Sequence, residues 1–309
     1  MPEPQPKPGE IVIRLAAAGV NFADLLMVRG TYYLHPPAPF RTGLEGAGTI
    51  SAVGEGVTDW KIGDKAFAAR PGCFAEYIAV KASEALPIPA GFTMVQAAGL
   101  IIGYGTALYA LKHRGQVQPG ETVFISGAAG GVGTAAIEVA KRLGAVVIAG
   151  AGSAEKLETC KAHGADHLLN YSTEDIRERI KEMSGGKGYD VFVDCVGDDV
   201  FDAALRASAR SARLMIVGFA GGRAPSIPAN YLLAKNLSVI PVAFGGDFAE
   251  SPALARAVID DLGAMHAREP FHPEIGGEYG LEDVPEALAR LADRNVRGKL
   301  VIVTGYKPV

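Results

Sequence analysis

The sequence predicts an α/β protein in which a doubly wound parallel sheet is joined to a separate, barrel-like β domain. Three observations support this fold class. Short apolar runs alternate with helical patterns between residues 122 and 243, and a glycine-rich turn follows the first of these runs. Short apolar segments separated by Gly and Pro fill residues 10–80, which is typical of an all-β domain.

The glycine-rich turn lies in the stretch ETVFISGAAGGVGTAAIEVAK, residues 121–141. We expect a strand at Thr122–Ile125, and an amphipathic helical pattern follows from Thr134. Residues without a Cβ let the turn bend sharply and let a pyrophosphate approach the N–H groups at the helix start. The turn supplies three of them: Gly130, Gly131 and Gly133. Its first small residue is Ala128, so the pattern is A-x-G-G-x-G rather than G-x-G-x-x-G.

The alternation downstream of this turn favours a dinucleotide-binding βαβ unit over a flexible loop. Further strands are predicted at 145–149, 167–170, 189–195, 213–218 and 237–243. Helices are predicted at 154–163, 173–183 and 199–207, the second capped by Ser172 or Thr173. Right-handed crossovers would then place a nucleotide at the carboxyl ends of the strands.

The N-terminal third predicts the second domain. Strands are expected at 10–18, 43–53, 65–69 and 74–80, with a short helix at 21–29. A helical pattern at 97–111 leads into the nucleotide domain, and a helix at 285–293 and a strand at 298–303 close the chain. We expect that last strand to return to the first domain. The predicted domains are therefore residues 1–100 with 268–309, and residues 101–267, and the cleft between them is the default substrate site.

Composition excludes several classes of function. The 309 residues are 49% hydrophobic and 21% charged, and the net charge is −4. No basic run is present, so nucleic acid is not an expected partner. Neither a signal peptide nor an apolar run of membrane-spanning length occurs. The three cysteines have no paired or metal-ligand spacing, which favours reduced thiols in a cytoplasmic protein.

Eight motifs together resemble the zinc-independent NADPH:quinone oxidoreductases of the medium-chain dehydrogenase/reductase superfamily. They are GVNFAD (19–24), GLEGAGTI (43–50), GCFAEY (72–77), YGTALYAL (104–111), GAAGGVG (127–133), GADHLLNY (164–171), VGFAGG (217–222) and RGKLVIV (297–303). The resemblance implies a GroES-like β-barrel catalytic domain plus a doubly wound parallel Rossmann domain.

Two features depart from the family pattern. Relatives usually carry a further strand and hairpin before the position of Met1, so either the start is misplaced or the sheet has an open edge. The family's active-site tyrosine in the helix after GVNFAD is Leu26 here.

The end of the second Rossmann strand predicts the cofactor. NAD enzymes of this fold place an acid there for the ribose 2′-OH, but this chain reads Ala-Gly-Ala-Gly-Ser to Ser153. A nearby lysine would attract a 2′-phosphate, and by resemblance Lys156 and Tyr171 match the family's phosphate-binding residues. The alternative for Lys156 is a solvated helix charge. The missing acid favours NADPH.

The resemblance also implies the remaining cofactor contacts. Phe219 would line the nicotinamide, and Arg294 would reach the cofactor from late in the chain. The predicted cofactor-binding residues are Thr106, Ala129, Gly130, Gly131, Val132, Gly133, Ser153, Lys156, Tyr171, Phe219 and Arg294.

No metal is expected. Zinc-dependent relatives use a cysteine where this chain has NFAD, and a histidine where it has Leu44. Without these ligands a catalytic Zn²⁺ would not bind tightly, and Glu45 is expected to be a structural acid.

Chemistry without zinc favours acceptors that take hydride at carbon and spread the charge, such as quinones and α,β-unsaturated carbonyls. The protein then has to orient the acceptor and donate hydrogen bonds to the developing oxyanion. The candidate catalytic residues are Asn21, Tyr32 and Tyr104, although packing is an alternative role for both tyrosines.

Three functions remain open from sequence. The first is an NADPH:quinone oxidoreductase using hydride or single-electron transfer. The second is a reductase of enones or enoyl thioesters, and the third is a weakly catalytic, redox-sensing NADPH-binding protein. We also expect a homodimer formed through the edge strand at 237–243.

Overall fold

The computed structural model describes residues 3–33 and 35–308, without the side chain of Ala249. It separates into two compact units: a first unit of residues 1–102 and 245–309, and a second unit of residues 103–244. Residues 1, 2, 34 and 309 of the predicted first domain lie outside the described residues.

The strands follow one another along both units. They are β1 (Glu10–Val20), β2 (Glu45–Val53), β3 (Lys65–Ala68), β4 (Tyr77–Lys81), β5 (Leu86–Pro87), β6 (Thr122–Ile125), β7 (Val146–Ala151), β8 (His167–Asn170), β9 (Tyr189–Asp194), β10 (Ser208–Ile216), β11 (Ser238–Pro241), β12 (Ile275–Tyr279) and β13 (Lys299–Val303).

The helices are mostly short. They are α1 (Phe22–Val28), α2 (Met94–Ala98), α3 (Thr106–Leu108), α4 (Gly131–Arg142), α5 (Ala154–Ala162), α6 (Ile176–Met183), α7 (Asp198–Leu205), α8 (Ala229–Lys235), α9 (Phe244–Glu250), α10 (Pro252–Arg268) and α11 (Val284–Ala292). Wider π-helical turns flank α3 at Ile101–Gly105 and Tyr109–Arg114.

The first unit is built on a seven-stranded sheet in the order β12-β13-β1-β2-β3-β5, with β4 paired to β1. Strand β1 is central because its sequence EIVIRLAAAGV is buried along nearly its whole length. Small residues let neighbouring strands approach it closely. A Cβ on Gly48, for example, would lie 2.1 Å from the Arg14 carbonyl oxygen.

The second unit contains a parallel six-stranded sheet in the order β11-β10-β9-β6-β7-β8. Strands β6, β7 and β9 are almost wholly buried, as is typical of the inner strands of a parallel sheet. Stacked aromatic rings fill the core behind β6 and β9, with the Phe124 and Phe192 centroids 5.0 Å apart. The predicted α/β architecture, a doubly wound parallel sheet joined to a separate β domain, is confirmed.

Several boundaries differ from the sequence prediction. Helix α4 begins at Gly131, three residues before the apolar pattern starts at Thr134. The N-cap of α6 is Asp175, whose Oδ1 accepts from the Glu178 N–H at 2.8 Å, and not Ser172 or Thr173. The prediction of that cap was wrong because residues 171–174 continue the turn that follows β8.

No helix was predicted from sequence for the segment after β11. It forms α9 and the 17-residue helix α10. A Cβ on Gly263 of α10 would lie 3.4 Å from Pro89, so this helix packs within the first unit. The first unit therefore resumes at residue 245, whereas the predicted boundary is 268.

No helix in the described part of the chain is both long and apolar enough to cross a membrane.

Candidate active site

The carboxyl edge of the six-stranded sheet gathers most of the predicted cofactor residues. Because β6 to β10 pair in parallel, the segments that follow these strands share one edge of the sheet. The predicted residues on these segments are Ala129, Gly130, Gly131, Val132 and Gly133 after β6, Ser153 and Lys156 after β7, Tyr171 after β8, and Phe219 after β10.

The turn after β6 depends on glycine. Gly127 has a positive φ of 61°, and a Cβ on Gly133 would lie 2.4 Å from the Gly127 carbonyl oxygen. Gly130 is the N-cap of α4 and brings no side chain to the first N–H groups of the helix. These N–H groups can therefore serve a phosphate, as the sequence pattern predicts.

Three residues meet at the end of β7. Ser153 caps α5, where its Oγ accepts from the Lys156 N–H at 3.3 Å. The Tyr171 ring lies beside Gly152, the residue before Ser153, since a Cβ on Gly152 would be 3.3 Å from the Cε2 atom of Tyr171. The Ser153 hydroxyl, the backbone of Lys156 and the Tyr171 ring thus lie at the strand end where NAD enzymes carry an acid. A hydroxyl, a lysine and a phenol are side-chain types that suit a 2′-phosphate.

Phe219 is 42% exposed, yet its backbone is held in place. The turn after β9 accepts two hydrogen bonds from the loop that carries it: Ala220 N–H donates to Cys195 O at 3.1 Å, and Gly221 N–H donates to Val196 O at 2.7 Å. The phenyl ring lies close to that turn, because a Cβ on Gly197 would be 3.3 Å from Phe219 Cδ1. An exposed aromatic ring on a fixed loop is a suitable wall for a planar group.

Sequence analysis missed the residues that shape this turn. Asp194 is fully buried and accepts from Ser126 Oγ at 2.7 Å, from the Val196 N–H at 3.1 Å and from the Gly197 N–H at 3.0 Å. Burial raises the pKa of Asp194, and these hydrogen bonds oppose the shift. A carboxylate directly after the apolar run Val191–Val193 was the signal that could have revealed it.

Tyr104 and Thr106 lie in the helical segment at the start of the second unit, and both are buried. This segment packs against the glycine turn, since a Cβ on Gly103 would lie 3.3 Å from the Gly131 carbonyl oxygen. Arg294 differs from the other predicted cofactor residues, because it belongs to the first unit. It is an exposed residue with a positive φ of 55°, and it follows Asp293, the C-cap of α11.

Asn21 is the N-cap of α1 and is only 8% exposed. Its Nδ2 donates to Gly19 O at 3.2 Å and to Glu45 Oε1 at 3.0 Å, and its Oδ1 accepts from Lys299 Nζ. Both amide hydrogens are therefore engaged within the first unit. To donate to a substrate, as predicted, Asn21 would have to release one of these acceptors.

Glu45 is 1% exposed and forms an ion pair with Lys299. Its second oxygen accepts from the Ile102 N–H at 2.9 Å. Lys299 was not identified from sequence, although a lysine at the start of the apolar strand β13 was a visible signal.

Asp24 was also missed. It is fully buried and accepts from the Asn21 N–H at 2.9 Å, from Thr42 Oγ1 at 2.9 Å and from the Gly43 N–H at 3.0 Å. It closes the capping box of α1 and ties that helix to the start of β2. Burial raises the pKa of Asp24 to about 6, against the lowering effect of its hydrogen bonds and of Lys299.

Tyr32 lies in the loop after α1 and is half-buried, with its ring centroid 4.4 Å from that of Tyr33. Burial, together with a hydrogen bond to Tyr33, raises the pKa of Tyr32. The phenol therefore stays protonated over the physiological range and can donate a hydrogen bond.

Within the described residues no group of three His, Cys, Asp or Glu side chains is placed to hold a metal ion. Leu44 stands beside Glu45 where zinc-dependent relatives carry histidine, and the Glu45 carboxylate is already paired with Lys299. The residues present do not fit a catalytic zinc.

Two family models match the chain, an alcohol dehydrogenase GroES-like domain at residues 7–90 and a zinc-binding dehydrogenase domain at residues 131–260. The quinone oxidoreductase-like protein 2 of Mus musculus is 35% identical over 297 residues, which cover 96% of this chain and 85% of that protein.

Solved structures resemble this chain over nearly its whole length. The quinone oxidoreductase of Escherichia coli complexed with NADPH has a TM-score of 0.91 at 29% identity, covering 98% of this chain and 94% of that chain. The CurK enoyl reductase has a TM-score of 0.87 at 26% identity, covering 98% and 93%. The chain belongs to the zinc-independent quinone oxidoreductase family of the medium-chain dehydrogenase/reductase superfamily.

Proposed function

We propose that this protein reduces quinones with NADPH, by hydride or electron transfer and without zinc. It is an oxidoreductase of its family, and its cofactor is NADPH. The observation that supports the cofactor most directly is the end of β7, where Ser153, Lys156 and Tyr171 gather around a strand end that lacks a carboxylate.

The residues of the second unit fit this cofactor. The glycine turn would take the pyrophosphate on the first N–H groups of α4, and Lys156 would pair with the 2′-phosphate. Phe219 and Thr106 would lie beside the nicotinamide, and Arg294 is proposed as an additional cofactor contact. Bound NADPH supplies the reducing equivalents.

The chain's own part in the reaction is to orient the acceptor and to stabilise negative charge on its oxygen. Tyr32 is a neutral phenol and a hydrogen-bond donor at neutral pH. Asn21 would serve as the second donor if the amide hydrogen on Gly19 O, the longer of its two bonds, were released to substrate. Tyr104 is proposed to pack beside the cofactor near the glycine turn.

A second candidate function is the reduction of enones or enoyl thioesters. It is favoured by the similarity to the CurK enoyl reductase, and it needs the same oxyanion donors. The third alternative, a weakly catalytic NADPH-binding redox sensor, remains because Leu26 replaces the family's tyrosine.

One panel separates the three functions. NADPH oxidation is followed with 9,10-phenanthrenequinone, crotonyl-CoA and 2-alkenals, and NADPH binding is measured by fluorescence titration. We expect turnover of the quinone. Turnover of only the enoyl or alkenal substrates would establish the second function, and micromolar binding without any turnover would establish the third.

We also propose a homodimer. Strand β11 lies at the end of the six-stranded sheet, pairs there with β10 and carries Pro241 at its end, so a second copy could extend the sheet along this edge. Sedimentation giving a monomeric mass would refute it.

The three cysteines have no disulfide partners, which fits a reducing cytoplasm.

A further inference from the structure

The buried lysine Lys299 contacts both Asn21 and Glu45 in the first unit. The Lys299 side chain is 9% exposed, and its ammonium donates to Glu45 Oε1 and to Asn21 Oδ1. Burial of an ammonium is costly unless every partner is well placed, so a lysine here needs a reason beyond packing.

The fold provides a slot for this side chain. A Cβ on Gly19 would lie 2.6 Å from Lys299 Cε, and a Cβ on Gly99 would lie 2.8 Å from Lys299 Cγ. Any side chain at either position would displace the lysine stem, so both glycines are needed to admit it.

The ammonium determines which way the Asn21 amide faces. With Lys299 Nζ as a donor on one side and the Glu45 carboxylate as an acceptor on the other, only one amide orientation satisfies both. The flipped amide would put N–H against the ammonium and carbonyl oxygen against the carboxylate. Lys299 and Glu45 together therefore fix the donor edge of Asn21.

The same carboxylate holds the chain where it leaves the first unit. Glu45 Oε2 accepts from the N–H of Ile102, the last residue of that unit before residue 103. Glu45 therefore ties Asn21 and Ile102 together, and Lys299 supplies the charge that lets this carboxylate be buried.

We propose that Lys299 is a positioning residue that, with Glu45, fixes the orientation of the Asn21 amide in the acceptor site. Its effect on catalysis rests on the proposed function, but its effect on the amide does not. Lys299 acts through Asn21 and makes no contact with the reacting atoms in this scheme.

The amide is tested directly by NMR. The sequence contains only five asparagines, so selective ¹⁵N-Asn labelling gives few side-chain NH₂ pairs, and Asn21→Asp identifies the relevant one. We expect a dispersed pair, protected from solvent exchange, in the wild type and in the control Lys61→Met, which alters an exposed lysine of the same unit. Lys299→Met should lose this protection.

Lys299→Met leaves Glu45 buried without its cation and could fail to fold. The double variant Glu45→Gln/Lys299→Met removes both charges, and the amide oxygen that it introduces at position 45 can still accept from the Ile102 N–H. We expect it to fold, to lose protection of the Asn21 amide, and to lower kcat with the quinone about tenfold to hundredfold at an unchanged KM for NADPH.

The outcomes separate the two proposals. An Asn21 NH₂ pair that stays protected in the folded double variant overturns the positioning role, whatever the activity. Wild-type kcat in a double variant with a released amide also overturns it. A wild type that turns over none of the acceptors defeats the proposed function alone, while the NMR result still decides the role of Lys299.

Discussion

The two units prepare their functional residues in different ways. At the carboxyl edge of the parallel sheet, the geometry comes from glycines, backbone N–H groups and residues directly after strands. In the first unit, it comes from buried charged side chains, and the Lys299 contacts with Glu45 and Asn21 span 254 and 278 residues of sequence. Most of the dinucleotide edge is thus encoded locally, apart from the Asp194 bond to Ser126, which spans 68 residues. The polar cluster of the first unit forms only once the chain has folded.

The largest effect expected from this contrast is on the ion pair. Lys299→Met should lower the free energy of unfolding by about 3–5 kcal/mol, because it leaves a buried carboxylate without its cation. The double variant Glu45→Gln/Lys299→Met should recover much of that loss. Chemical denaturation measures both, and a double variant no more stable than the single one would contradict the role of the pair.

The pH dependence of stability tests Asp24. Its pKa is raised from 3.8 to about 6 on folding, so the folded state binds the proton more tightly. This group therefore stabilises the fold in acid, and that contribution, at most about 3 kcal/mol, is lost as pH rises from 4 through 6.

Asp24→Asn removes this titration. The difference in unfolding free energy between wild type and Asp24→Asn should change between pH 4 and 7, with the wild type losing relative stability as pH rises. A difference that stays constant across that range would show that Asp24 does not titrate there.

The glycine turn is expected to tolerate no side chain at its tightest point. In Gly133→Ala the new Cβ would lie 2.4 Å from Gly127 O, and the forced shift should cost about 1–3 kcal/mol and weaken NADPH binding. Gly245→Ala is the matched control, since a Cβ there meets nothing within 4 Å. Equal NADPH affinity in the two variants would refute the close fit.

The smallest effect compares two helix caps. Ser153 and Ser251 each accept a backbone N–H through Oγ, at 3.3 Å in both cases. Replacing either with alanine should lower stability by about 1 kcal/mol. Only Ser153→Ala should also weaken NADPH binding in titrations. An equal loss of NADPH affinity in Ser251→Ala would show that Ser153 has no specific part in binding the 2′-phosphate.

These differences explain what the sequence could predict. Strands β6 and β8 were placed at their observed bounds, because their apolar runs are bordered by turn residues. The start of α4 was placed too late, since its first turn consists of glycine and valine and carries no amphipathic signal. Helix α10 was overlooked because its apolar residues are mixed with charges.

Only part of the candidate site could be predicted from sequence. Ser153, Lys156 and Tyr171 each follow a strand, and a parallel sheet necessarily brings them to one edge. Lys299 was missed because both of its partners lie on other elements. Asp24 and Asp194 were missed because each also bonds to a residue far away in sequence, Thr42 and Ser126 respectively. Asn21 was chosen as a neutral hydrogen-bonding residue at the start of a predicted helix, and the sequence says nothing of the hydrogen bonds that already occupy its amide.

The central claim is that the end of β7 recognises a 2′-phosphate. The measurement that tests it most directly is the ratio of kcat/KM for NADPH over NADH with one quinone acceptor, in the wild type and in Lys156→Ala. We predict that the wild type prefers NADPH by at least about tenfold and that Lys156→Ala loses most of this preference. A wild type that prefers NADH, or a preference unchanged in Lys156→Ala, would contradict it.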